Sequence, residues 1–268
     1  MIPGLGAAEL APRASHDTTI ARLSAAAMET SRPIPLALEP ELRKTSIDRT
    51  ALPGTRSESV DRVINITLAS IGLLLAAPIM LVFAVLVKLT SAGPIFYVQA
   101  RVGLDRRGTG RGAGFYDRRT RDLGGSPFMI MKFRTMRIDA EKNGAVWAVR
   151  RDARVTAVGR LMRKYRIDEL PQLVNVIRGE MNIVGPRPER PSIFSRLCDD
   201  IAEYPLRQRA RPGITGWAQV NQAYDTSLDD VRTKVRYDLE YIERQGVAED
   251  LMIMARTVPV MIFRKGGW

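Results

Sequence analysis

The sequence predicts a mostly helical α+β fold in which a re-entrant membrane helix hairpin and amphipathic interfacial helices accompany a compact cytoplasmic domain with a few short strands. Three observations predict it. No charged residue falls between Arg62 and Lys88, and the stretch from Ile66 to Val87 would be roughly 33 Å long as a helix, enough for a bilayer core of about 30 Å. Pro78 stands in the middle of that run. Downstream, apolar residues recur at helical spacing in short amphipathic segments.

The first 58 residues read as a disordered arm, with Pro3, Pro12, Pro33, Pro35, Pro40 and Pro53 scattered through Ala, Ser, Thr and Arg. The start lacks the ordered basic, apolar and small-residue regions of a signal peptide, so the membrane signal is the later run. In that run, residues 59–90, Pro78 gives the carbonyl of Leu74 no N–H and crowds its turn. Two half-helices breaking at Ala77-Pro78 are therefore expected. Both flanks are basic, with Arg43, Lys44, Arg49, Arg56 and Arg62 before and Lys88, Arg101, Arg106 and Arg107 after. A hairpin keeps both in the cytoplasm and is favoured over a kinked spanning helix, which would send one across. A buried helix of a soluble core is the weakest reading, because such helices rarely run so far without polar residues.

Residues 91–268 form the cytoplasmic domain, interrupted near 105–127 by an insert rich in Gly, Arg and Asp that is expected to be flexible. Phe128 to Met136 predicts a short strand carrying Lys132 and Arg134. Val155, Val158, Leu161 and Met162 predict a helix. Leu170, Leu173, Val174 and Ile177 predict another, with Asp168 as N-cap, Pro171 in the first turn and Gly179 as the stop. Leu251 to Phe263 is almost wholly apolar, too short to span, and followed by Arg264, Lys265 and Trp268, which suits a helix lying at the interface.

A net charge of +12 requires an anionic partner: anionic phospholipid, nucleic acid and phosphorylated substrates all qualify. The single cysteine, Cys198, excludes an internal disulfide and reads as a small buried hydrophobe. The only histidine, His16, lies in the arm. Histidine metal sites and Ser-His-Asp chemistry are thereby set aside, leaving carboxylates, Lys and Arg for any catalysis.

Asp168 and Glu169 are adjacent carboxylates near Arg160, Arg163, Lys164 and Arg166. A lone Asp-Glu pair is usually a cap and a first-turn acid. Among so many cations, however, a carboxylate stays ionised beside a phosphate and Mg²⁺, as a carboxylate nucleophile for phosphorus must. Two proline-framed arginine turns follow, Gly185-Pro186-Arg187-Pro188 and Arg211-Pro212-Gly213-Ile214-Thr215-Gly216-Trp217. Arginine presents a planar fork matched to phosphate, and the flanking Pro and Gly fix its aim.

Together with KFRTM (132–136) and DELPQ (168–172), these segments resemble, in order and spacing, the bacterial sugar transferase family of monotopic phosphoglycosyl transferases. The resemblance runs from about Ser59 to the C-terminus. It implies a bacterial inner-membrane enzyme on the cytoplasmic face, with both termini cytoplasmic. It implies a Mg²⁺-dependent transfer of sugar 1-phosphate from a UDP-sugar to polyprenyl (undecaprenyl) phosphate, initiating exopolysaccharide, capsule, O-antigen or glycoprotein glycan synthesis. By motif position Asp168 becomes the nucleophile that carries the phosphosugar, and Glu169 helps hold the metal or relays a proton. Lys132, Arg134, Arg163, Arg187 and Arg211 are then expected to bind phosphate, and Gln219 and Asn221, with Trp217, to line the nucleotide or sugar pocket. Asp238 is left between a structural role and support of the metal. Anionic phospholipid is an expected partner, a homodimer is among the expected assemblies, and nucleic acid is not expected.

The segment beyond Asn221 (QAYDTSLDD) is where sugar discrimination is expected, and it does not identify the sugar. Two further departures stand out. Ala77 replaces the serine many members carry before the membrane proline, removing a hydroxyl that would bond a freed carbonyl. The insert before Phe128 is also longer than the turn expected there. Two rival classes are weaker. A nucleic-acid binder needs no long uncharged run, and a membrane-anchored basic scaffold does not need the Asp-Glu pair among arginine turns.

Overall fold

The computed structural model describes residues 57–105, 125–140, 152–222, 225 and 227–262. The N-terminal arm with His16, the heart of the basic insert, and part of the segment after Asn221 lie outside the described residues.

α1 (Glu58–Thr90) is one continuous helix of 33 residues with Pro78 in its interior. The expectation of two separate half-helices is not met: the helical backbone passes through the proline, forfeiting the bond to Leu74 without ending the helix. This is the one helix among the described residues long and apolar enough to cross a membrane, and only 17% of its most apolar window is buried. Leu74 and Leu75 are 75% and 76% exposed, and Leu81, Val82 and Leu89 are also open. A core helix of a soluble protein would hide such a face.

Both ends of α1 dock on the same folded domain. Near its start, Arg62 donates to the carbonyls of Val176 (2.5 Å) and Ile177 in the last turn of α3 (Gln172–Arg178), sharing the Val176 carbonyl with the N–H of Gly179. Asn182 donates to Asp61 at 3.0 Å, and the backbone N–H of Ile183 donates to the Asn65 side chain at 2.7 Å. Gly179 ends α3 at a φ of 82°, and a Cβ there would press on the Arg62 guanidinium at 3.2 Å. The predicted stop is thus also the seat of the membrane helix. Midway, Ala69 and Leu73 join a core with Phe128, Ile130, Leu173, Val176 and Met181. Toward its end, Phe83 and Val87 pack with Phe133, Met162 and Ile167.

The strands are short. β1 (Phe96–Val102) pairs antiparallel with β2 (Pro127–Phe133), Tyr97 opposite Lys132 and Arg101 opposite Phe128. Downstream, β3 (Asn182–Val184) and β4 (Gly213–Thr215) pair in parallel. That pairing brings the two arginine turns together: the N–H of Gly213 donates to the carbonyl of Pro186 at 3.0 Å. A Cβ on Gly213 would lie 2.1 Å from the Gly185 nitrogen, so the approach demands glycine.

Around these strands stand α2 (Ala157–Lys164), capped by Thr156, α4 (Pro191–Asp200) and α5 (Trp217–Asn221). α6 (Leu228–Arg244) opens with a reciprocal capping box between Ser227 and Asp230. α7 (Val247–Ile262) contains Pro259; it buries Ile253 while Leu251, Val258 and Met261 stay exposed. It begins four residues before the apolar run, because Glu249 and Asp250 favour a helix start. Cys198 on α4 is half-buried rather than fully buried.

Candidate active site

Between α2 and α3 the chain makes a 3₁₀ turn, Ile167–Glu169, entered through Arg166 at a φ of 57°. The N–H groups of Leu170, Leu173 and Val174 bond the carbonyls three residues back, at Ile167, Leu170 and Pro171. The tighter winding delays the α-helix to Gln172, so Asp168 is not its N-cap. Instead both carboxylates are buried in the turn, Asp168 9% and Glu169 6% exposed.

Their surroundings differ. Glu169 Oε1 accepts from Arg187 at 2.6 Å and from Lys132 at 3.1 Å, with Arg166 at 3.7 Å. Burial alone would raise its pKa, yet Arg187, Lys132 and Arg166 together hold the carboxyl well below the usual range. Asp168 is raised instead, first by burial and then by the Glu169 charge, against the pull of Lys132, Arg163 and Arg166. One carboxylate is bound up by cations; its neighbour has no side-chain hydrogen bond among the described residues.

Of the residues expected to bind phosphate, Lys132, Arg163 and Arg187 converge here. β2 aims Lys132 at Glu169, the Pro-framed turn after β3 delivers Arg187, and Arg163 on α2 acts on Asp168 while donating to Thr135 Oγ1 at 2.9 Å. Arg134 does not join them. It donates to the carbonyls of Ala92 (2.6 Å) and Ser91 (2.7 Å) and ties down the chain leaving α1, because β2 ends at Phe133 and the alternation that would keep residue 134 on the Lys132 face ends with it. Arg211 pairs with Glu58 at 2.7 Å, at the other end of α1.

Gln219 donates to the Ile214 carbonyl, and Asn221 to the Trp217 carbonyl. The two amides therefore serve the neighbouring backbone of β4 and of α5. Trp217 is half-buried, donating to Glu240 at 3.0 Å under the Arg256 guanidinium. Asp238 resolves as structural: it accepts from Arg207 at 2.6 Å, and both side chains are buried.

Sequence reasoning missed Arg101. Its Nη1 donates to the Pro188 carbonyl (3.0 Å) and Glu189 (3.3 Å), and its Nη2 to Gln99 (2.9 Å), whose amide donates to the Tyr97 hydroxyl (2.8 Å). Strict alternation over Phe96–Val102 places Tyr97, Gln99 and Arg101 on one face, which was the available signal.

The donor set suits a hard divalent cation. No group of three carboxylate, histidine or cysteine ligands occurs among the described residues. Asp168 keeps uncommitted oxygens, and the Glu169 contacts all fall on Oε1. Two carboxylates completed by water and substrate phosphate fit Mg²⁺ better than an all-protein cage would.

The family model for bacterial sugar transferases matches residues 56–264. Among curated relatives, the UDP-N-acetylgalactosamine-undecaprenyl-phosphate N-acetylgalactosaminephosphotransferase of Aeromonas hydrophila is 38% identical over 79% of this chain. The chain spans only 45% of that protein's length. The UDP-glucose:undecaprenyl-phosphate glucose-1-phosphate transferase of Caulobacter vibrioides is 37% identical over 79% of this chain and 73% of its own. The exopolysaccharide production protein ExoY of Rhizobium meliloti is 34% identical over 77% of this chain and 87% of its own. With the Asp-Glu turn, the two arginine turns and the long apolar helix all inside the matched span, the chain belongs to the bacterial sugar transferase family.

Proposed function

We propose that the protein is a phosphoglycosyl transferase that moves a sugar 1-phosphate from a UDP-sugar to undecaprenyl phosphate, at the cytoplasmic face of the bacterial inner membrane. The observation that carries the reading is the asymmetry of the buried pair: Glu169 engaged by Lys132 and Arg187, Asp168 without a hydrogen-bonding side chain. Such an arrangement leaves Asp168 available while fixed cations await phosphate charge.

In the first step an Asp168 carboxylate oxygen attacks the β-phosphorus. The bond from that phosphorus to the bridging oxygen breaks, and uridine monophosphate leaves with the electron pair. In the second, a phosphate oxygen of undecaprenyl phosphate attacks the same phosphorus, restoring the Asp168 carboxylate and yielding the lipid diphosphosugar. Lys132 and Arg187 neutralise the phosphate oxygens and orient Glu169, and Arg163 steadies charge beside Asp168. Asp168 and Glu169 would hold Mg²⁺, which supplies further charge neutralisation at the diphosphate.

The reading also covers the membrane. Arg62 and Asn65 near one end of α1 and Phe83 and Val87 near the other seat on one domain, and a single domain does not sit on both sides of a bilayer. This supports a helix that enters and leaves the same leaflet, with both flanks cytoplasmic and the basic surface against anionic phospholipid. The glycan begun in this way would be an exopolysaccharide, capsule, O-antigen or glycoprotein glycan.

The test is to incubate purified protein with Mg²⁺, undecaprenyl phosphate and a panel of UDP-sugars and to measure uridine monophosphate. Release from at least one sugar, abolished by Asp168→Asn, is expected. Undiminished release by that variant would overturn the mechanism.

A further inference from the structure

We propose that the polar face of β1 is a wall of the donor subsite and that Arg101 binds the diphosphate of the nucleotide sugar, at the phosphate that does not react. This rests on the reading above and extends it to residues outside the Asp-Glu turn and the arginine turns.

The register carries the first step. Tyr97 lies opposite Lys132, so Tyr97, Gln99 and Arg101 share the face from which Lys132 reaches Glu169. Those three residues are linked side by side, Tyr97 hydroxyl to Gln99 amide to Arg101 guanidinium. The far edge of that guanidinium rests on the Pro188 carbonyl and Glu189, directly after Arg187. Its direction is thus fixed before any ligand arrives. Its Nε–H is buried and has no acceptor among the described residues.

Charge carries the second step. Lys132, Arg163, Arg166, Arg187, Arg101 and Arg190 surround Asp168, Glu169 and Glu189, six cations against three carboxylates. The excess of positive charge suits the diphosphate of a nucleotide sugar. Lys132, Arg163 and Arg166 act on Asp168; Arg101 lies beside Arg187 and Arg190, and both Arg101 and Arg187 also act on Lys132. The reacting phosphorus must lie at Asp168. A second anionic centre is then needed at the Arg101 and Arg187 end, and the donor has two phosphates where the lipid acceptor has one.

The experiment uses the full chain in detergent, with the UDP-sugar that the wild type accepts. KM for that donor and KM for undecaprenyl phosphate are measured separately for wild type, Arg101→Gln, Arg101→Lys and Gln99→Ala, with a thermal transition for each. Arg101→Gln is expected to raise donor KM by about tenfold or more, the scale of a lost charge-assisted hydrogen bond, and to leave acceptor KM within about twofold. Arg101→Lys should recover part of the loss, and Gln99→Ala should raise donor KM severalfold. Should Arg101→Gln fail to fold, the other two variants, together with UDP affinity measured in an Asp168→Asn background, decide the matter by the same split. Unchanged donor KM, or an acceptor KM that rises in step with it, would overturn the β1 assignment alone. A wild type that releases no nucleotide from any sugar would instead remove the reading on which it rests.

Discussion

Two buried charge clusters in this molecule use the same side-chain types and end in opposite conditions. Asp238 and Arg207 are 2% and 1% exposed, joined at 2.6 Å, with Arg207 also donating to the Tyr204 hydroxyl and the Arg187 carbonyl. Every strong donor there has an acceptor at hand. At Asp168 and Glu169 the cations outnumber the carboxylates, and one carboxylate has no side-chain donor among the described residues. A closed pair holds a fold in place, whereas an unbalanced one is completed by what it binds.

The clusters are connected, since Arg207 bonds the backbone carbonyl of the very residue whose side chain reaches Glu169. The Asp238–Arg207 pair thereby anchors the loop from which Arg187 reaches Glu169. Mutations should separate the two kinds of work. The largest effect is expected from Asp168→Asn, which should reduce nucleotide release to background while the thermal transition stays within a few degrees of wild type. A comparable loss of stability there would mean the turn is a structural knot like its counterpart.

Asp238→Ala should do the reverse. Leaving Arg207 buried and unpaired is expected to cost ~3–5 kcal/mol, read as a lowered denaturation midpoint. Next, Arg187→Ala should lower kcat by about 10²–10³-fold, as loss of a preorganised donor at a charged transition state does. Chelation of divalent cations should abolish turnover yet leave the denaturation midpoint unmoved, since no group of three carboxylate, histidine or cysteine ligands occurs among the described residues. The smallest effect is expected from Arg134→Ala, where two carbonyls after α1 lose their donor. A loss of about 1–3 kcal/mol in stability should appear with donor KM unchanged. A rise in donor KM would return Arg134 to the phosphate site.

Much of this was legible from local pattern. Gly179 as a helix stop and the helical spacing over Leu170 to Ile177 follow from short-range rules, whereas Lys132 and Arg187 were singled out through the motifs shared with the family. What escaped depends on long-range placement. KFRTM puts Lys132 and Arg134 two residues apart, and nothing in the pentapeptide says that one meets Glu169 and the other the exit of α1. Arg211 shares its turn chemistry with Arg187, but its partner is Glu58, 153 residues away. Pro78 was read by its local cost, which a long helix seated at both ends absorbs. The 3₁₀ winding that moved Asp168 from cap to buried turn likewise depends on Arg166 in a left-handed conformation, which no residue type there signals.

The central claim is that the Asp168 carboxylate becomes bonded to phosphorus during turnover. Mass spectrometry of enzyme quenched after exposure to its UDP-sugar without lipid acceptor tests it most directly. A phosphosugar adduct mapped to the peptide containing Asp168, and discharged when undecaprenyl phosphate is added, is the predicted result. Product formation with no adduct on that peptide at any quench time would contradict the account.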